Sequence, residues 1–176
     1  METQARKQAL NFGLYMGLSL IVVASVCYVI NVGLLANFWV GLLNLLIVFA
    51  FAIFSCYATR KIMGFPSFKE VFTSYTITVA LGLAISTLFT IILFNLIDPG
   101  AAEIIKEQSI VEMQSIMERF NAPQTEIDKA ILQAQNADNN FSIGSQAQSY
   151  FIFLAIMLLL GLFAALLFRK KDPTNI

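Results

Sequence analysis

The chain has 176 residues, 58% of them hydrophobic and 12% charged, where a soluble domain runs near about 45–50% and about 25%. So few charges cannot cover a soluble domain of this size, so the composition points to an integral membrane protein. Net charge is zero and His is absent, which removes the usual metal ligand and the usual near-neutral general base.

A membrane-spanning helix needs about 20 predominantly apolar residues, and four runs reach that length without an Asp, Glu, Lys or Arg: 10–30, 38–59, 71–97 and 150–168. In hydrocarbon only a helix satisfies its own backbone within one segment, so each run is predicted helical. The first follows Arg6 and Lys7 and could be taken for a signal sequence, with "VASVC" standing where a lipoprotein cleavage site would end at Cys27. Val26 is too large for the position before such a Cys, and the run is long enough to span, so a retained helix is the expectation. It carries Gly13-x-x-x-Gly17, a close-packing motif for a neighbouring helix or a second copy of the chain.

The second run contains Asn44. It is followed by "MGFPSFKEVF", residues 63–72, which raises the choice between a functional site and a turn. Gly64 and Pro66 suit a turn. Ser67-x-x-Glu70 has the spacing of a capping box that starts the third helix. Phe65, Phe68 and Phe72 suit the interfacial zone, where Phe is a weaker marker than Trp or Tyr. The reading adopted is a helix cap and interfacial turn. Along the third run, Thr73, Thr76, Ala80, Ala84, Thr87 and Thr90 fall on one helical face, predicted to point into the bundle. Asn95 lies near the end of that run.

Residues 98–149 are the one sizeable hydrated segment. They hold eight acids, with Asp98, Glu107, Glu112 and Asp138 among them, against Lys106, Arg119 and Lys129. A structureless loop of that length is uncommon. Ala102, Ile105, Ser109, Met113, Ile116 and Phe120 form one helical stripe. Ile127, Ala130, Ile131 and Ala134 form a second beyond Pro123. The segment is therefore predicted to be a hairpin of two amphipathic helices, whose stripes either pack on the bundle or dock a partner. "NADNN" lacks the spacing and the Gly of a calcium loop, and Asn140-Phe141-Ser142 is a formal glycosylation triplet. The fourth run carries Gly161-x-x-x-Ala165.

Lys and Arg set orientation. Eight of them (Arg6, Lys7, Arg60, Lys61, Lys69, Arg169, Lys170 and Lys171) flank the termini and the 60–70 connection, and three lie in residues 98–149. The expected fold is thus an all-α membrane protein with four transmembrane helices, N-in/C-in, and an extracytoplasmic helical hairpin between the third and fourth. Cys27 and Cys56 then differ in depth by roughly 20 Å, so no bond between them is expected.

The order of a basic start, two apolar helices, "GFPSFKEVF", a third helix ending "NLIDPG", an acidic helical segment and a last helix closing "FRKKDP" resembles the bacterial membrane family catalogued as domain of unknown function 4199. "SFKEVF" and "IDP" are its most specific parts. The resemblance implies a multi-pass protein of the bacterial inner membrane and supplies no activity, cofactor or site. No triad, phosphate loop or activated nucleophile is present in the sequence, so neither enzymatic activity, a cofactor, a metal nor a nucleic-acid partner is expected. The reading is a scaffold or accessory protein that meets the bilayer and, through the 98–149 hairpin, a protein partner. The alternative is a small channel or transporter subunit, homo-oligomeric, with Asn44, Thr76, Thr87 and Asn95 along a polar path. If not lining a path, Gly13, Gly17, Asn44, Thr76, Thr87 and Gly161 serve helix packing.

Overall fold

The computed structural model describes residues 3–136 and 141–170. Asp138, Asn140 and Lys171 lie outside them. Six α-helices follow in order: α1 Thr3–Ile30, α2 Phe38–Met63, α3 Phe68–Ile92, α4 Pro99–Arg119, α5 Gln124–Asn136 and α6 Ile143–Phe168. Helices α1, α2, α6 and α3 with its π-helical continuation are long and apolar enough to cross a membrane. Each outruns its apolar segment at one end. An α-helix continues through polar residues until a cap or breaker stops it, so hydropathy marks the bilayer core rather than the helix ends.

The stops are local. Asn37 caps α2, its side chain accepting from the Trp39 amide, and Gly64 ends it in the left-handed region at φ 71°. The connection 31–37 is a 3-10 turn over Val32–Ala36 capped by Asn31. At Ser67 the capping box is complete: the Ser67 hydroxyl accepts from the Glu70 amide and the Glu70 carboxylate accepts from the Ser67 amide. Asp98 caps α4 and Pro99 takes its first position, where the missing N–H costs nothing.

Cross-helix contacts give the directions. Ala9 meets Thr78, Gly17 meets Ile85 and Tyr28 meets Asp98, so α1 and α3 run parallel. Thr59 meets Ser74 and Ser55 meets Thr78, so α2 runs against α3. Tyr150 meets Ala80, Gly161 meets Tyr75 and Lys170 meets Pro66, so α6 does too. One end of the bundle therefore gathers Arg6, Lys7, Arg60, Lys61, Lys69, Arg169 and Lys170 (the basic end). The other carries α4 and α5 (the hairpin end).

The core centres on α3. A side chain on Gly13 would meet Leu81 Cβ at 3.0 Å, one on Gly17 would meet Ile85 Cβ at 2.8 Å, and one on Gly82 would meet the Gly13 carbonyl at 2.9 Å. These three glycines let the two backbones touch, which is how apolar helices gain packing in lipid. Gly13-x-x-x-Gly17 is thus buried inside one chain rather than offered to a second copy. Met16, Val48, Ala52, Cys56, Val71, Tyr75, Val79 and Met157 fill the centre. Cys27 and Cys56 are both free thiols.

The predicted Thr stripe of α3 is not its most buried face. The buried residues are Val71, Ser74, Tyr75, Thr78, Val79, Gly82 and Leu83, on a face turned from the stripe by roughly 150° at 3.6 residues per turn. The stripe looks toward α6: Ala84 and Thr87 line a groove with Ala147, Tyr150 and Phe151, and Thr73 and Thr90 return their hydroxyls to the carbonyls of Lys69 and Ser86. Thr76 Oγ1 is buried without a hydrogen-bond partner.

Candidate functional site at the hairpin end

The hairpin is anchored before it is exposed. α3 ends in a π-helical turn, Leu93–Ile97. Asn95 Nδ2 lies 3.0 Å from the Ile91 carbonyl and 2.8 Å from that of Phe141, tying the start of the α6 segment to the end of α3. Asp98 then uses both carboxylate oxygens. One accepts from the Ala101 amide at 3.1 Å, and the other from the Tyr28 hydroxyl of α1 at 2.9 Å.

From there α4 crosses the end of the bundle. Ala101, Ala102 and Ile105 bury against Leu93 and Phe94, beside Tyr28, Val32, Leu35 and Phe89. A side chain at Gly33 would meet Gln108. One turn further, Asn37 Nδ2 donates to Glu112 Oε1 at 2.9 Å. The same Asn37 thus caps α2 with its oxygen and holds α4 with its nitrogen. The expected α4 stripe fades along its length: Ala102 and Ile105 are buried, Ser109, Met113 and Ile116 half-buried, and Phe120 is 83% exposed. On α5, Ile127 is buried while Ala130, Ile131 and Ala134 are half-buried, and Lys106 Nζ donates to the Gln135 carbonyl at 2.9 Å. Glu103, Glu107, Glu118, Glu126 and Asp128 remain exposed.

A cleft of about 390 Å³ opens where the far half of α4 faces the start of α2. Asn37, Phe38, Trp39, Glu112, Ile116, Arg119 and Phe120 line it. The Phe38 and Trp39 rings meet edge to face, centroids 5.8 Å apart.

At the basic end, "MGFPSFKEVF" is built as a joint. Phe68 and Phe72 stack at 5.8 Å. Lys170 donates its backbone N–H to the Pro66 carbonyl at 3.0 Å and sets its ammonium 4.7 Å over the Phe65 ring. The turn is therefore clasped by the end of α6, a contact that no local pattern announces.

Inside the bundle, Thr78 Oγ1 lies 3.0 Å from the Ala9 carbonyl and 2.7 Å from Ser55 Oγ. Thr59 Oγ1 and Ser74 Oγ are 2.5 Å apart. All four hydroxyls are buried, and together they tie α1, α2 and α3. None of the four was singled out from the sequence; the one signal is that Ser55 and Thr59 sit four residues apart, as do Ser74 and Thr78. Asn44, expected to bond between helices, is half-buried with its Oδ1 unpartnered, beside a cleft lined by Leu20, Gly41, Leu83, Ser86 and Phe153. Among the described residues no group of three or more His, Cys, Asp or Glu is placed to hold a metal.

Four apolar spans, a joint at one end and an anchored helical cap at the other define a multi-pass helical membrane protein. Residues 11–170 match the family described as "Protein of unknown function (DUF4199)", and the chain belongs to it. No curated protein and no solved structure matches the chain. The two stretches that carry the family resemblance, "SFKEVF" and "IDP", are both helix starts: Ser67 with Glu70 caps α3, and Asp98 with Pro99 opens α4.

Proposed function

We propose that the protein is a non-enzymatic scaffold or accessory protein of the bacterial inner membrane, with both termini cytoplasmic and the α4–α5 hairpin outside. One observation carries this reading. α4 is fixed to the bundle by the Tyr28–Asp98 and Asn37–Glu112 hydrogen bonds and by buried Ala101, Ala102 and Ile105, while five carboxylates stay exposed. A surface that is both anchored and charged loses little conformational entropy when a partner binds. The basic end supports this orientation, since cytoplasmic ends carry the excess of Lys and Arg.

The interior favours a scaffold over a channel or transporter subunit. A pore needs a continuous polar path, and the buried hydroxyls of Ser55, Thr59, Ser74 and Thr78 are engaged with one another and with helix backbone. Of the groups named for a polar path, Asn95 is held by two carbonyls, while Asn44 Oδ1 and Thr76 Oγ1 have no hydrogen-bond partner.

The test is photo-crosslinking in intact cells from Glu107 and Glu118, each replaced in turn by a photoreactive residue. A discrete protein adduct that is lost when Glu103, Glu126 and Asp128 are changed to Lys supports the reading. Adducts to lipid alone, or a pattern indifferent to charge reversal, would remove it.

A further inference from the structure

The cleft at the start of α2 combines an interfacial position, exposed aromatic rings and two opposite charges. It lies where a membrane-spanning helix begins, since Phe38 and Trp39 open α2, and Trp is the residue most at home at headgroup level. Phe38, Trp39 and Phe120 are 56%, 70% and 83% exposed, an aromatic surface facing the cleft. Two opposite charges share that surface. Glu112 and Arg119 are seven residues apart on α4, so they lie on one face, separated by roughly 10 Å along the axis. Glu112 is steadied by Asn37. The Arg119 guanidinium has no hydrogen bond or ion pair among the described residues.

We infer that this cleft binds the headgroup of a zwitterionic phospholipid from the adjoining leaflet, with the phosphate on Arg119 and the ammonium between Glu112 and the Trp39 and Phe38 rings. The charge pattern selects the ligand. A guanidinium presents a planar fork of donors suited to phosphate oxygens. A carboxylate beside aromatic faces attracts an ammonium, by charge and by the ring quadrupole. An anionic headgroup such as phosphoglycerol would satisfy Arg119 and leave Glu112 facing a hydroxyl. A volume of about 390 Å³ lies in the range of small-molecule sites, and the acyl chains would continue along the exposed apolar flank of α2, where Leu43 and Leu46 face outward. The inference requires only that α2 spans a bilayer. It does not depend on which side the hairpin occupies or on any protein partner.

Trp39 is the single tryptophan of the chain, so its emission reports on the cleft directly. The full chain, purified in a nonionic maltoside detergent, is titrated with dihexanoyl phosphatidylethanolamine. The expected result is a saturable change in Trp39 emission, weakened about tenfold or more by Arg119→Ala and by Glu112→Gln, as losing one charged hydrogen bond implies. Gln at position 112 keeps an oxygen for Asn37, so that variant tests the charge with the anchor intact. Dihexanoyl phosphatidylglycerol is expected to bind more weakly. Equal binding by the phosphatidylglycerol would overturn the zwitterionic assignment. Equally tight binding by chain-free glycerophosphoethanolamine would overturn the lipid assignment. A linear change, the same in both variants, is simple partition into micelles and would overturn the site.

Discussion

The ring of Tyr75 occupies the space that any side chain at Gly161 would need: a Cβ there would come within 2.6 Å of Tyr75 Cδ1 and Cε1. This contact locks α6 onto α3 at the level of the core. Gly161→Ala must therefore push the two helices apart or drive Tyr75 off its rotamer, and overpacking of this kind costs about 1–3 kcal/mol. The Tyr75 hydroxyl is buried without a partner, so Tyr75→Phe should keep or raise stability. Thermal unfolding in detergent checks both, with Gly161→Ala expected to melt lower than the parent chain and Tyr75→Phe not.

The α1–α3 crossing should be just as intolerant. A Cβ on Gly82 meets the Gly13 backbone carbonyl, which cannot swing aside, whereas one on Gly41 meets nothing within 4 Å. Gly82→Ala is expected to cost about 1–3 kcal/mol. Gly41→Ala should be neutral or slightly stabilising, because Ala is the better helix former by up to about 1 kcal/mol. Similar losses in both variants would place the α1–α3 contact elsewhere.

The hydroxyl of Thr78 serves two helices, reaching the Ala9 carbonyl of α1 and Ser55 of α2. Thr78→Val keeps the shape and removes the bonds. Interhelical hydrogen bonds in membranes average about 0.6 kcal/mol and reach about 1.7, so a loss within that range is expected. A double-mutant cycle with Ser55→Ala should show a favourable coupling, and a coupling of zero would mean the two residues act independently.

Ser67→Ala removes the hydroxyl that accepts from the Glu70 amide, and loss of such a cap costs about 0.5–2 kcal/mol. The effect should be confined to the first turn of α3, read as faster amide exchange at Glu70 and Val71 with little change beyond Tyr75. Unchanged exchange there would mean that the clasp from Lys170 to Pro66 holds the turn by itself.

Orientation can be read in intact cells. With Cys27 and Cys56 replaced by Ala, a membrane-impermeant maleimide should label Glu107→Cys directly and Lys61→Cys only after permeabilisation. Both positions are exposed, so access rather than burial decides the outcome. The opposite pattern would place the hairpin in the cytoplasm.

The amino-acid sequence by itself determined the features that depend on a few neighbouring residues. Four apolar runs gave four long helices because hydropathy is summed over one segment. The capping box at Ser67 and the breaks at Gly64 and Pro123 were legible for the same reason. The tertiary structure decided which side of each helix meets which neighbour. In water a helix shows its buried face as an apolar stripe. In lipid both the buried and the lipid-facing sides are apolar, so that signal is weak, and Thr73, Thr76, Ala80, Ala84, Thr87 and Thr90 suggested a face that Val71, Ser74, Tyr75 and Thr78 in fact supply. The long-range partners were hidden for a related reason. Tyr28 and Asp98 are 70 residues apart, and Asn37 and Glu112 are 75 apart. Only the lie of α4 across the end of the bundle, set by the cap at Asp98 and the apolar contacts of Ala101, Ala102 and Ile105, brings each pair within hydrogen-bond reach.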